Sequence, residues 1–275
     1  MPCAVPSSPQ PSPSDVSRIK LNPLLSLQLH EGASHAVNEQ RQGDPPRGFD
    51  DSFALDNVVW ASLSGPHGRF ATTLGHAARY PEEVSPFVAL APDADESVWG
   101  DLTSLFGTGG LVVLVGVELR PPAKWEVLHR IDAVQMTDTN FQGESDPDIV
   151  RLSSADVPEM LELVERTKPG PFLARTIELG SYFGIRRDGV LIAMAGERLH
   201  PPGWTEISAV CTDVEYRGQG LASRLMKAVG AGILARGERP LLHAASDNTN
   251  AIRLYQDLGF STRRHISFEV VRISD

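Results

Sequence analysis

Two periodicities divide the chain. In the second half, Leu221, Leu225, Val229 and Ile233 recur every four residues, so one helix face carries them all, and Arg236-Gly237 supplies the stop. A second amphipathic helix is predicted over 251–258, and one helix start is expected at Ser154, ahead of Met160, Leu161, Leu163 and Val164. Between these helices lie short apolar runs of strand type: 148–152, 181–186, 190–196, 205–212, 240–245 and 265–273. Asp188-Gly189 stands between two of them and predicts a hairpin with a tight turn. In the first half the runs 57–63, 86–90 and 111–119 read as strands separated by glycine and proline.

The polar stretch Thr137 to Pro147 reads as a linker. The expected organisation is therefore a disordered, proline-rich tail over 1–20, an α+β unit over 21–142 and a second unit over 143–275, in the α/β (α+β) class. The five prolines among small polar residues in 1–17 leave too little surface to bury to offset the entropy of ordering. No stretch approaches the roughly 18 apolar residues of a membrane span.

Charge sharpens this outline. With 25 basic and 35 acidic residues the net charge is −10, which argues against nucleic acid as a partner because phosphate backbones need a basic face. The excess is uneven: residues 1–140 hold 9 basic against 17 acidic, a net of −8, whereas residues 217–275 hold 9 against 5, a net of +4. A positive region in an acidic chain suggests an anionic ligand. The start, Met-Pro-Cys-Ala-Val-Pro, lacks the basic and apolar regions of a secretory signal, and the two cysteines, Cys3 and Cys211, sit in unrelated contexts. A reduced, cytoplasmic setting is expected, with no membrane partner.

The segment with most chemical content runs from Thr212 to Ser223, between a predicted strand and a helix start. Arg217-Gly218-Gln219-Gly220-Leu221-Ala222-Ser223 joins glycines, which let backbone approach a ligand, to the free amides and positive end of a helix. Such a turn suits a phosphate; a solvated glycine-rich connection is the plain alternative. No Gly-Lys-Ser/Thr follows, as a Walker loop requires, and Ser223 stands where a dinucleotide fingerprint needs glycine or alanine.

Arg217, Gly220 and Ala222 match the phosphate loop Gln/Arg-x-x-Gly-x-Gly/Ala, and Asn248, Ala251, Tyr255, Gly259 and Phe260 match Asn-x-x-Ala-x-x-x-Tyr-x-x-x-Gly-Phe in full. In this order the two signatures resemble the GNAT superfamily of acyl-CoA-dependent N-acyltransferases, over roughly residues 147–275. The strand Glu206-Ile-Ser-Ala-Val-Cys-Thr and the large preceding half are similar to the glycine N-acyltransferase-like branch. The resemblance implies a GNAT-type mixed sheet flanked by helices, with the first half a possible degenerate copy. It also implies acetyl-CoA or another acyl-CoA as co-substrate, a small-molecule or amino-acid amine as acceptor, and no metal. Backbone groups of Val210, Cys211 and Thr212 would hold the pantetheine arm, the segment Gly218, Gln219, Gly220, Leu221, Ala222 and Ser223 the pyrophosphate, and Asn248 the arm from the second helix. Val214 departs from the proline often found before the loop.

Acyl transfer needs a neutral amine, a stabilised oxyanion and a proton for the thiolate. Strand alternation places Glu206, Ser208, Val210 and Thr212 on one face and Ile207, Ala209 and Cys211 on the other. The branch resemblance makes Glu206, six residues before Thr212, the base, against the plain reading of a strand-edge acid. The family position makes Tyr255 the acid, since a phenol keeps its proton at neutral pH; a packed aromatic is the alternative. His243, on the adjacent strand, is a reserve base, and Cys211 reads as a small buried hydrophobe. Against an enzyme stand two other classes: a module that senses acyl-CoA without turnover, and a nucleotide-binding protein.

Overall fold

A computed structural model of the chain describes residues 52–274; the expected tail over 1–20 and Cys3 lie outside the described residues. The elements are α1 (Ser52–Asp56), α2 (Val58–Leu63), β1 (Thr72–Leu74), β2 (Ala77–Arg79), β3 (Val88–Leu90), α3 (Val98–Phe106), β4 (Leu111–Val115), β5 (Glu126–Asp138), β6 (Val150–Arg151), α4 (Val157–Thr167), β7 (Tyr182–Arg187), β8 (Val190–Glu197), β9 (Trp204–Thr212), α5 (Leu221–Ala235), β10 (Arg239–Ala245), α6 (Thr249–Asp257) and β11 (Phe260–Arg272). Strands β1-β2-β3 form a small sheet. The other eight form one mixed sheet in the order β4-β11-β5-β10-β9-β8-β7-β6, in which the single parallel pairing is β9 with β10. The expected boundary near residue 142 falls between β5 and β6, two strands of this same sheet.

Each face of the sheet has its own core. Leu221, Leu225, Met226, Val229 and Ile233 of α5 bury against Ile192, Ile207 and Leu242, with Tyr255 and Ile252 of α6 packed alongside. On the opposite face α4 packs through Met160, Leu163 and Val164 onto Leu191 and Met194, and residues of the first half, Leu55, Val59, Tyr80 and Phe87 among them, cover Leu241, Val270 and Phe268. Phe141, in the segment expected to be a linker, is buried against α5. A Cβ at Gly230 would lie 2.1 Å from its ring, so only glycine admits that ring so close to the helix. No helix among the described residues is long and apolar enough to cross a membrane.

Three local expectations are corrected. Residues 57–63 form helix α2, not a strand. Leu55, Val58, Val59, Ala61, Ser62 and Leu63 are all buried, so burial carries no period, and the choice falls to the Asn57 side chain, which accepts from the Trp60 amide at 3.3 Å as an N-cap. The capping residue is Ser153, not Ser154: it caps a 3-10 turn, Ser154–Asp156, in a reciprocal capping box with Asp156, and the turn runs into α4, which Pro158 opens. The strand read over 111–119 stops at Val115. The Asp188-Gly189 turn is as expected, with φ of 51° and 82°.

Candidate acyl-CoA site

The site grows out of β9. Its pairing with β8 joins Met194 to Cys211 and Gly196 to Ser208, so Ala195 alone faces both Ala209 and Val210. This is a β-bulge, and it puts Ala209 at φ 52°, a conformation that costs a non-glycine residue about 1–2 kcal/mol. The extra residue reverses the alternation beyond it. Ile207 and Val210 both pack on the α5 side, while Ala209 and Cys211 pack on the α4 side. The expected common face for Glu206, Ser208, Val210 and Thr212 is therefore corrected: Glu206 lies opposite to Val210.

The same strand leaves its other neighbour early. The parallel ladder with β10 joins Trp204 to Arg239, Thr205 to Pro240 and Glu206 to Leu241 and goes no further, although β9 continues to Thr212 and β10 to Ala245. Past Glu206 the strands splay, and the β9 edge that carries Val210, Cys211 and Thr212 has no ladder partner on that side. From this open edge β9 runs into the loop before α5. Gly218 and Gly220 have φ of 76° and 73°, and an added Cβ at either would meet nothing within 4 Å, so the glycines answer a backbone need beside open space. Gly220 is the N-cap of α5 and supplies no side-chain bond; the first intrahelical bond of the loop runs from the Arg224 amide to the Gly220 carbonyl at 3.2 Å. The Leu221, Ala222 and Ser223 amides thus stand at the uncapped, positive end of a 15-residue helix. These features fit the pyrophosphate and arm of an acyl-CoA.

Folding spends most of the local positive charge. Arg224 pairs with Asp146 and Asp148, Lys227 with Glu144, Arg236 with Glu197 and Glu238, Arg239 with Asp138, Arg263 and Arg264 with Asp56, and Arg272 with Glu126. Among the described residues of 217–275, only Arg217 and Arg253 have no acidic partner. Arg217 is exposed in the loop, with Nε donating to the Thr212 carbonyl at 3.2 Å. The positive excess therefore reduces to Arg217, in the turn that the motif marks, and Arg253, in α6.

The catalytic candidates occupy opposite faces of the sheet. Tyr255 packs on the α5 side and burial pushes its phenol up to about 12, so it carries its proton throughout the neutral range. Its hydroxyl makes no hydrogen bond among the described residues. Asn248 caps α6, its Oδ1 accepting from the Ala251 amide at 3.2 Å, which leaves the amide nitrogen for other contacts. Glu206, on the other face, is fully buried. Arg198 grips it with Nε on Oε2 at 2.9 Å and Nη2 on Oε1 at 2.5 Å, and His243 Nδ1 lies 2.7 Å from Oε1. Burial alone would raise this carboxyl; the Arg198 guanidinium and the His243 ring outweigh it and hold it well below the ordinary carboxylate range. Glu206 is thus a committed anion whose contact is His243, not solvent. Cys211 is buried, and desolvation pushes its thiol up to about 11.

Two participants escaped sequence reading. Arg198 follows β8 as an ordinary charged residue, and Gln135 sits in β5, a 13-residue strand with no clean alternation. The one available signal for Arg198 was a charge directly beside Glu197 at the end of an apolar strand.

A mixed sheet that splays at a bulged strand, opening onto a glycine turn and an uncapped helix, defines an acyl-CoA-binding transferase fold. The family model described as FR47-like protein matches residues 182–268. The crystal structure of a GNAT-family protein from Novosphingobium aromaticivorans DSM 12444 is 41% identical, covering 80% of this chain and 99% of that one, with a TM-score of 0.74. A GCN5-related N-acetyltransferase from Kribbella flavida shares the fold at 17% identity, covering 80% of this chain and 96% of that one, with a TM-score of 0.55. The N-alpha-acetyltransferase RimI of Mycobacterium tuberculosis is 35% identical over 99 residues, 34% of this chain; the match spans 61% of that relative's length. The chain belongs to the GNAT family of acetyltransferases.

Proposed function

We propose that the protein is an acyl-CoA-dependent N-acyltransferase, acetyl-CoA being the default donor, which acylates the amine of a small molecule or amino acid by direct transfer. The observation that carries this reading is the early end of the β9–β10 ladder at Glu206 and Leu241, because it opens a cleft between an uncapped helix and two groups suited to acid–base work. Backbone groups of Val210, Cys211 and Thr212 hold the pantetheine arm, Arg217 and the amides of residues 218–223 hold the pyrophosphate, and the free amide nitrogen of Asn248 holds the arm from α6.

The two faces divide the chemistry. The acceptor nitrogen bonds to the thioester carbon and the carbon–sulfur bond breaks. The amine loses one proton on the side of Glu206 and His243, and the departing thiolate takes one from Tyr255 on the other. Glu206 acts through His243, balancing the charge that the ring gains. The Glu206-to-Thr212 spacing supports the glycine N-acyltransferase-like branch within the family.

A panel of acyl-CoAs crossed with an amine library, read by thiol release and product mass, tests the proposal. Thiol release that depends on one amine class supports it. The sealed position of Glu206 favours one rival, an acyl-CoA sensor, which binds the panel with no release above the hydrolysis background.

A further inference from the structure

The imidazole of His243 is held on both sides. Its Nδ1 meets Glu206 at 2.7 Å, and its Nε2 lies 3.1 Å from Nε2 of Gln135. The Gln135 amide has a fixed orientation. Its Oε1 accepts from Arg263 Nη1 at 2.9 Å, which requires oxygen there, and its Nε2 donates to the Leu55 carbonyl at 2.9 Å, which requires nitrogen there. An amide nitrogen only donates. His243 Nε2 must therefore accept, and the ring proton sits on Nδ1, directed at the Glu206 carboxylate. Gln135 is 1% exposed, so water does not replace these bonds.

We propose that Gln135 is the positioning residue of this acid–base pair: it fixes His243 as the Nδ1–H tautomer, occupies its Nε2 lone pair at rest, and ties both to α1 through Leu55. The inference rests on the acyltransferase reading. Before His243 takes a proton at Nε2, Gln135 must withdraw its N–H from that nitrogen, and its second N–H keeps the amide anchored on Leu55. The anchor belongs to a larger clasp, since Asp56 beside Leu55 pairs with Arg263 and Arg264 at 2.8 Å each. α1 thereby sits at the end of a chain of bonds that reaches Glu206.

The groups around the ring set the sign of the test. Glu206 from β9 faces Nδ1, with Arg198 behind it from the end of β8; Arg263 from β11 acts through Gln135, and Asp56 of α1 stands behind Arg263. The Phe268 ring of β11 packs edge-on at 5.8 Å, and the Tyr80 phenol, which burial keeps protonated, neighbours Glu206. Of these, Gln135 alone donates to Nε2. Its loss removes a bond that only the neutral ring accepts, so the ring takes a proton at higher pH.

The experiment combines pH–rate profiles of thiol release for wild type, Gln135→Leu and Gln135→Glu with 15N NMR of the His243 ring in the wild-type chain. A neutral hydrogen bond of about 0.5–1.5 kcal/mol corresponds to a shift of up to about one pH unit at 1.36 kcal/mol per unit. The acidic limb of kcat should therefore move up by about that much in Gln135→Leu. It should move further in Gln135→Glu, where a carboxylate faces Nε2, and acyl-CoA affinity should stay constant in both. The NMR spectrum should show the Nδ1–H tautomer. An unchanged acidic limb in both variants, or an Nε2–H tautomer in the wild type, overturns the role of Gln135. A wild-type chain that releases no thiol with any amine overturns the acyltransferase reading instead, and the NMR result still decides whether Gln135 sets the tautomer.

Discussion

The two faces of the central sheet are built on opposite terms. On the α5 face, around residues 210–223, the proposed donor site rests on backbone: a bulge at Ala209, a ladder that stops early, two left-handed glycines and a helix start with no cap. On the other face it rests on side chains packed out of water, Arg198, Glu206, His243 and Gln135, beneath a cover supplied by the first half of the chain. A backbone site tolerates changes of side chain and leaves a glycine signature. A buried network fails when one member goes, because the charges left behind have no solvent. The difference also suits the proposed two-substrate reaction, in which the extended anionic donor would take the open side and the acceptor the covered one.

The largest effect is expected at Tyr255. Replacing it with Phe keeps the ring in its packed position and removes only the proton donor, so turnover should fall by about 10²–10⁴-fold while acyl-CoA affinity holds. Steady-state kinetics beside direct binding measure both. Because burial holds this phenol near about 12, any alkaline loss of activity well below that pH belongs to another group.

Glu206→Gln tests the buried face. It leaves the Arg198 guanidinium without its partner, and breaking a buried pair costs about 3–5 kcal/mol, measured by urea unfolding. The double variant Arg198→Met/Glu206→Leu should recover much of that loss, since it removes both charges. The pH dependence has a definite sign. A carboxyl held below its ordinary value contributes stability that is whole above about pH 4.3 and is lost as the pH falls from there toward the depressed value. The stability gap between wild type and Glu206→Gln should therefore be full at neutral pH and narrow in acid; a gap that widens in acid contradicts the pairing.

Smaller effects fall on the open face. Gly220→Val forces a branched side chain to φ 73°, costing about 1–2 kcal/mol of stability and disturbing the amides proposed to hold the pyrophosphate. Asn248→Ala removes the α6 cap, worth about 0.5–2 kcal/mol. If its amide also holds the cofactor arm, acyl-CoA affinity falls in addition to stability; if it only caps, thermal unfolding changes and affinity stays.

The contrast also explains what could be read from sequence. The mixed α/β architecture, α5 and α6, the Asp188-Gly189 hairpin and the 217–223 turn were legible because each depends on local spacing or on glycine. The bulge was not. Ala209 bears no mark of its left-handed backbone, so strand alternation put Glu206 and Val210 on one face, and one extra residue separated them. Helix α2 was missed because burial on all sides erases periodicity, and only Asn57 distinguished it from a strand. The apparent positive charge of residues 217–275 shrank to Arg217 and Arg253 once acids distant in sequence, such as Asp56 and Asp146, came into contact. Gln135 was invisible because its role arises from neighbours on β10 and β11 and from α1, none of which is near it in the chain.

Calorimetric titration of CoA into the wild type and Gly220→Val tests most directly whether the open face is the donor site. The account predicts one site per chain in the wild type, at the 217–223 turn, and affinity weaker by about tenfold or more in the variant, equivalent to at least about 1.4 kcal/mol. Equal affinity in the two proteins, or two sites per chain, would contradict it.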